Sequence, residues 1–390
     1  MSTLDPAQLA RIKPWMDRWI DSGRIPGLSV AIHHRGATAY FAASGQADRE
    51  RALPMAEDTV VRLYSMTKPI TSLALLMLYE EGRFQLDDSI AAILPAFAHM
   101  QVQAGENTVP ADRAITYRDL LTHTAGLTYG FMQATPVDAL YREHGIDFQT
   151  AGATLTEIVD RLATLPLLAQ PGTAWNYSVA TDVISHLVAL HSGMPFDAFL
   201  QTRILAPLDM HDTGFHVRKN QRARFAANYA PGQDGQATLL DDPETSRFLT
   251  PRMPSGGGGL VGTAPDYMRF CRLLLGRGSL GPIRLIGRKT AELMMANHLG
   301  GDMAAMGQAR FSESSYAGIG FGLGLSVMID PARAQILGTP GEVAWGGAAS
   351  TAFWVDPAED LAVILLAQLT PSSTHPIRRE LRVLTYAALT

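Results

Sequence analysis

The stretch "RLYSMTKPITSLALLMLYEEGRF", residues 62–84, sets a serine and a lysine three positions apart at the head of a long apolar run. Residues three apart on a helix share a face, so a helix opening at Ser65 brings its hydroxyl and the Lys68 amine together. A helix N-terminus carries partial positive charge and unpaired N–H groups. Burial and positive surroundings both disfavour an ammonium, and a neutral amine beside a hydroxyl can take its proton. The pair therefore has the makings of a nucleophile and its base. S-x-x-K also arises by chance, with the serine as a helix cap and the lysine snorkelling along the surface. The apolar run favours chemistry, because it leaves Lys68 little exposed surface.

Two later segments offer complementary groups. "PGTAWNYSVATDVISHLV" (171–188) places Tyr177 at the start of an amphipathic helix, with Trp175 and Asn176 beside it as candidates for a cleft wall. "GEVAWGGAASTAFWVDP" (341–357) reads as a strand whose Gly346 and Gly347 let a ligand approach the backbone. Other reactive side chains point elsewhere. His33 and His34 are adjacent on an expected strand, so they face opposite ways, as ordinary strand histidines. His186 and His191 are not at i, i+4 spacing and no H-E-x-x-H occurs, so no metal and no cofactor is expected. His123, in "LLTHTAGL", is read as a hydrogen-bonding residue at a helix end. The glycine run 256–259 has neither the lysine nor the strand context of a phosphate loop, and reads as a tight loop before a helix. Cys271 lies in "YMRFCRLLL" and reads as a small buried hydrophobe.

These residues need elements to position them. The N-terminus reads as an amphipathic helix capped by Ser2 or Asp5, without an apolar core of signal-peptide type. "GLSVAIHHRGATAYFAASGQAD" reads as a hairpin around "HRGA". The Ser65 helix is apolar nearly all round, hence buried at the centre, and ends near Gly82. The middle third reads as helices and loops: "TYRDLLTHTAGL", "TLTEIVDRLATLPLL" with Thr154 and Glu157 in capping-box spacing, "VATDVISHLVALHSG" and "PFDAFLQTRILAPL". Near the C-terminus "FGLGLSVMID", "GEVAWGGAASTAFWVDP" and "LAVILLAQL" form an antiparallel meander, closed by a helix over "HPIRRELRVLTYAAL". The expected class is α+β. Residues 1–85 and 255–390 form a discontinuous antiparallel sheet domain flanked by helices, with a mostly helical domain, 86–254, inserted. Ser65 then lies at their junction, a preferred place for a ligand cleft.

Serine, lysine and tyrosine in this order, followed by a glycine-bearing strand, resemble the serine β-lactamase and penicillin-binding protein superfamily. The likeness is strongest to the class (family) VIII carboxylesterases. It runs through "PGLSVAIHHRG", "YSMTK", "ITYRDLLTHTAGL", "PGTAWNYSVATDV", "GGGGLVGTAPDYMRF" and "WGGAASTAFWVDP". It implies a β-lactamase-like fold, Ser65 as nucleophile, Lys68 as its activating partner and Tyr177 as proton acceptor and donor. It further implies that Trp345, Gly346 and Gly347 form the substrate-binding third motif, with the N–H groups of Ser65 and Ala348 as the oxyanion hole. Val179 stands where the β-lactamases and penicillin-binding proteins normally have an asparagine, and Trp-Gly-Gly replaces their usual Lys-Thr-Gly. Both changes remove polar partners for an anionic lactam and favour a neutral ester. No G-x-S-x-G elbow occurs at any serine.

Composition narrows the remaining classes. The 390 residues are 47% hydrophobic and 18% charged, enough for a sizeable core. Net charge is -5 and no basic tract is present, against a nucleic-acid partner. No stretch of 18 or more apolar residues occurs, so no membrane span is expected. A lone cysteine forms no internal disulfide and fits a reducing compartment. The expectation is a cytoplasmic serine carboxylesterase. It hydrolyses small, short-chain acyl esters through a Ser65 acyl-enzyme, with weak or no β-lactamase activity. The rivals are an acyltransferase, a D-amino-acid amidase or β-lactamase on the same scaffold, and a non-catalytic binding module. The intact Ser65, Lys68 and Tyr177 argue against the last.

Overall fold

The computed structural model describes residues 3–147, 152–250, 253–307 and 315–390. One sheet draws on both chain ends. It takes Gly27–His34 (β1), Ala37–Asp48 (β2) and Leu53–Pro54 (β3) from the first, and Ile319–Phe321 (β4), Ser326–Met328 (β5), Val343–Gly346 (β6), Ala352–Asp356 (β7) and Leu361–Ala367 (β8) from the second. The spatial order is β4-β5-β6-β7-β8-β1-β2-β3, antiparallel throughout. The seam between the chain ends is β1 against β8, with Leu28 opposite Ala367 and His34 opposite Leu361. The hairpin from β1 to β2 turns through Arg35 and Gly36, both at positive φ, as a two-residue turn matched to strand twist requires. The meander expected near the C-terminus is β4 to β8.

Every residue of β1 and β8 is buried. Strands apolar at successive positions need cover on both faces, and helices supply it. Six of them bear on the site: Pro6–Leu9 (α1), Ile12–Asp21 (α2), Thr67–Glu80 (α3), Ala180–Ser192 (α4), Ala264–Leu275 (α5) and Ile377–Tyr386 (α6). On one face Leu9, Trp15, Met16, Ile377 and Leu381 of α1, α2 and α6 pack with Val30, Ile32, Trp354 and Leu365. On the other, Phe270 and Leu273 of α5 join Phe353 and Ile364 in a core that extends to α3 and α4. Residues 67–78 of α3 are all buried, as its unbroken apolar character requires.

Some local expectations are refined. Asp5 caps the N-terminal helix through the Ala7 N–H at 2.8 Å, and that helix breaks after Leu9 into α1 and α2. Ser2, the other candidate cap, lies outside the described residues. The Thr154–Glu157 capping box is formed. The helix over "PFDAFLQTRIL" starts as α at Phe196–Leu200 and passes into a π turn at Gln201–Leu205. None of the described residues between 86 and 254 adds a strand to the main sheet. That segment does hold two hairpins, Gln101–Ala104 with Asn107–Pro110 and Asn228–Pro231 with Ala237–Asp241. Among the described residues no single helix is long and apolar enough to cross a membrane.

Arg62 ties the sheet to the middle segment three residues before Ser65. Its guanidinium is fully buried, 2.6 Å from Asp241 Oδ2, and it donates to the Ala226 carbonyl at 2.6 Å and Ser246 Oγ at 3.2 Å. It lies 4.2 Å from the centre of the Phe225 ring. The Gln368 side chain, just past β8, bonds both its backbone N–H and its carbonyl. Removing one partner of a buried pair strands the others. Arg62→Met is expected to destabilise the fold by about 3 kcal/mol, read from the midpoint of a denaturant titration. An unchanged midpoint would show that this junction contributes no net stability.

Candidate active site

The chain reaches Ser65 along an anchored path. Val61–Arg62 pairs with Val261–Gly262, and the Leu63 N–H donates to the Leu260 carbonyl at 3.0 Å. Tyr64 then adopts φ +45°, a region that costs any residue bearing a Cβ. Tyr64–Met66 form a 3-10 turn that runs directly into α3, so Ser65 stands two residues before the α-helix and Lys68 in its first turn. Tyr267 of α5 pins this turn by donating to the Met66 carbonyl at 2.8 Å. Across the turn, Lys68 Nζ lies 3.3 Å from Ser65 Oγ. From α4's side, Tyr177 Oη lies 2.6 Å from the same oxygen. The three groups singled out in the sequence thus converge on one atom.

Lys68 is 1% exposed, and its surroundings explain how an amine is kept there. Nζ donates to the Gly257 carbonyl at 2.5 Å and sits 4.6 Å from the Tyr177 ring centre and 5.3 Å from that of Tyr129. The glycine run is therefore more than a loop before a helix. It wedges between α3 and α4, where a Cβ on Gly256 would meet Ser185 at 2.7 Å and one on Gly257 would meet Asp182 Oδ2 at 2.3 Å. The Thr71 hydroxyl donates to the Gly256 carbonyl at 2.9 Å. Asp182, on α4, accepts from the Ser255 hydroxyl at 2.6 Å and the Gly257 N–H at 2.9 Å. Burial raises the pKa of its carboxyl, and the Lys68 charge opposes that rise. Asp182 was not singled out in the sequence; its only signal there was an acid in the first turn of a helix.

Tyr177 is held in an aromatic cage. Ring centres lie at 5.1 Å for His123, 5.2 Å for Tyr129, 5.5 Å for Trp345 and 6.4 Å for Trp175. His123 is buried, and burial, with the Lys68 charge second, holds its pKa well below the usual histidine value. Its Nδ1 is 3.0 Å from Ser178 Oγ. It supports Tyr177 from behind, in line with the structural role expected of it. Trp175 and Asn176 are corrected: neither lines the cleft. Trp175 packs into the cage with Tyr316 and Phe321, and the Asn176 amide donates to the Leu127 carbonyl at 2.8 Å.

A cavity of about 940 Å³ opens over Ser65 and Tyr177. Tyr129, Phe131, Val179, Tyr316, Ile319 and Trp345 give it an aromatic and aliphatic wall. Gly346, Gly347 and Ala348 border it at the end of β6. Gly347 is forced to be glycine by closeness to the Ser65 segment, since a Cβ would stand 2.3 Å from the Leu63 carbonyl oxygen. Among the described residues, neither the Ser65 nor the Ala348 N–H donates to a backbone carbonyl. The wall is less free of charge than the sequence suggested. Arg142, Arg378, Arg379 and Arg382 reach it, each bonded to a carbonyl or carboxylate: Gly130, Gly347, Gln335 and Glu342 respectively.

The arrangement can activate a serine and pass its proton through a tyrosine–lysine pair. His33 and His34 lie on β1, and His191 bonds the Tyr117 hydroxyl at 2.7 Å. Among the described residues no group of three or more His, Cys, Asp or Glu side chains is placed to hold a metal ion. Cys271 is buried in α5, and burial raises its thiol pKa well above the usual value.

Residues 10–387 match the β-lactamase family. The chain is 33% identical to the esterase EstB of Burkholderia gladioli, over 99% of this chain and 97% of that protein. Among solved structures it is similar to EstCE1, described as a hydrolase with promiscuous acyltransferase activity. The TM-score is 0.84 at 30% identity, over 97% of this chain and 99% of the other. It is also similar to unliganded simvastatin synthase (LovD) from Aspergillus terreus. There the TM-score is 0.80 at 25% identity, over 98% and 97% of the two chains.

The glycine wedge is open to test. A methyl group at Gly257 must push the loop off Asp182 and drag its carbonyl from Lys68. Displacements of about 1 Å at a reacting group can cost on the order of 10²-fold. Gly257→Ala is expected to lower kcat for an aryl ester by roughly 10- to 100-fold with KM little changed. Steady-state kinetics beside a thermal melt separate this from unfolding. A variant with full kcat would remove Gly257 from the support of Lys68.

Proposed function

The chain belongs to the β-lactamase family and is a hydrolase, and we propose that it is a serine carboxylesterase working through a Ser65 acyl-enzyme. One observation carries the proposal: Tyr177 Oη and Lys68 Nζ lie 2.6 and 3.3 Å from Ser65 Oγ, and Ser65 and Tyr177 line a cavity large enough for an ester. Tyr177, assisted by Lys68, takes the Ser65 proton as Oγ attacks the ester carbonyl. As the phenol accepts this proton it hands its own to the Lys68 amine, so the two residues act together as the base. The oxyanion rests on the N–H groups of Ser65 and Ala348, each contributing about 3 kcal/mol of transition-state stabilisation. Tyr177 returns the proton to the departing alcohol. Water then enters, gives its proton to the same pair and releases the acid.

The acyl part is short and neutral in this reading. Val179 offers no polar side chain to an anionic lactam, the Trp345 indole N–H is buried, and each arginine of the wall has at least one donor committed to a carbonyl or to Glu342. Stripping water from a carboxylate without a new partner is costly. The cavity is far larger than a short acyl group, so the remaining room suits a bulkier alcohol. The same room favours acyl transfer to an alcohol as a second reading, supported by the acyltransferase activity described for EstCE1. The partner is a small-molecule ester. A cytoplasmic setting accords with a lone, buried cysteine.

Ser65→Ala is expected to abolish ester hydrolysis with the fold intact. A serine-directed phosphonate should add its mass to the peptide carrying Ser65 in the wild type. Label on another serine, with Ser65→Ala still active, would sink the mechanism.

Substrate choice has its own test. kcat/KM for a short aryl ester is expected to exceed that for a chromogenic cephalosporin by at least roughly 100-fold, the scale set by polar groups left unpaired. A cephalosporin value equal to the ester value would move the assignment to β-lactamase.

A further inference from the structure

The loop after β6 presents the Ala348 N–H, and an arginine outside the cavity floor holds that loop. Arg378, in the first turn of α6, donates through Nη2 to the carbonyls of Gly347 and Thr351, each at 2.8 Å. The Thr351 carbonyl also accepts the Gly347 N–H at 2.9 Å, so the guanidinium closes the turn from 347 to 351. Gly346 leaves the space for it, since a Cβ there would stand 2.7 Å from Nη2. The two glycines of the strand thus have different duties. Gly347 admits the Leu63 carbonyl of the Ser65 segment, and Gly346 admits the guanidinium.

The Gly347 carbonyl and the Ala348 N–H belong to one planar peptide group. A donor fixed on the oxygen fixes the direction of the hydrogen at the opposite end. A charged donor also polarises the group, which strengthens the N–H as a donor in turn. We propose that Arg378 is the positioning residue of the oxyanion site: by holding the Gly347 carbonyl it aims and strengthens the Ala348 N–H. The inference rests on the reading of Ser65 and Ala348 as oxyanion donors. The charge of Arg378 is felt inside the cavity wall, where it eases the ionisation of Tyr316 that burial and Tyr177 oppose. A lysine is a point charge without the planar fork, so it replaces this contact only in part.

The test joins kinetics to a spectroscopic signature. Wild type, Arg378→Met and Arg378→Lys are acylated with a hindered aryl pivaloate, and the acyl carbonyl stretch is read by infrared difference spectroscopy. The same acyl-enzyme unfolded in urea is the reference. In the wild type, the stretch should lie below the unfolded value. In Arg378→Met it should move back towards it, with kcat for an aryl acetate down roughly 10-fold or more and KM little changed. Arg378→Lys should fall between, and it carries the test if the methionine variant does not fold. Folded variants with an unshifted carbonyl would overturn the proposal even if kcat fell, because the arginine would then be only a structural clasp. A wild-type stretch equal to the unfolded value would overturn the oxyanion reading itself, and this proposal with it.

Discussion

A lysine amine with almost no exposed surface has to be partnered, and much of the site follows from that requirement. The Gly257 carbonyl receives Nζ, and Asp182 holds the Gly257 N–H from the other side. The loop can reach Nζ only if residues 256 and 257 have no side chain, because α3 and α4 leave no room for one. α3 and α4 must themselves pack closely, which their apolar faces ensure. Ser65 is thus the cavity-facing end of a buried polar arrangement. Each partner in it answers a desolvation cost that the previous one creates.

Three rigid pieces deliver the groups. The turn before α3 brings Ser65 and Lys68, the segment before α4 brings Tyr177, and β6 brings the glycine strand. Precision comes from packing rather than from local propensity. Tyr177 is fenced by four rings, and the Ser65 turn is pinned by Tyr267 and by the short pairing of Val61–Arg62 with Val261–Gly262. Sites built on such elements hold their geometry better than sites on free loops.

What the sequence disclosed divides along the range of the interactions. Ser65 and Lys68 were legible because helix geometry alone makes residues three apart neighbours. The meander β4–β8 was legible from strand-like runs with short connections. The seam of β1 with β8 followed only in outline, from strands at both ends with helices between. The Gly257 carbonyl on Lys68 spans 189 positions, and the Asp182 bond to Gly257 spans 75. No periodicity marks such pairs. In the sequence Asp182 is only an acid in the first turn of a helix, and Arg378 only one of three arginines in the closing helix. Trp175 and Asn176 were misplaced because adjacency to Tyr177 does not say which way a side chain turns. The two extra hairpins were missed because their strands have only four or five residues and one is exposed throughout.

Backbone strain ties these levels together. Among the described residues, several bearing a Cβ take positive φ near the site, including Tyr64 at +45°, His123 at +57° and Ser350 at +62°. The first precedes Ser65, the second backs Tyr177, and the third lies in the turn that Arg378 closes. Each such conformation costs on the order of 1–3 kcal/mol and persists only where the surroundings over-determine it. Here the surroundings are identifiable. Arg62 and Leu63 are anchored just before Tyr64, Ser178 and the aromatic rings hold His123, and the Ser350 hydroxyl donates to the Leu369 carbonyl at 2.7 Å. The strain at Tyr64 is therefore carried by the junction between the sheet and the middle segment, that at His123 by Ser178 and the surrounding rings, and that at Ser350 by the chain just past β8. Loosening that junction should release the site's geometry before it unfolds the chain.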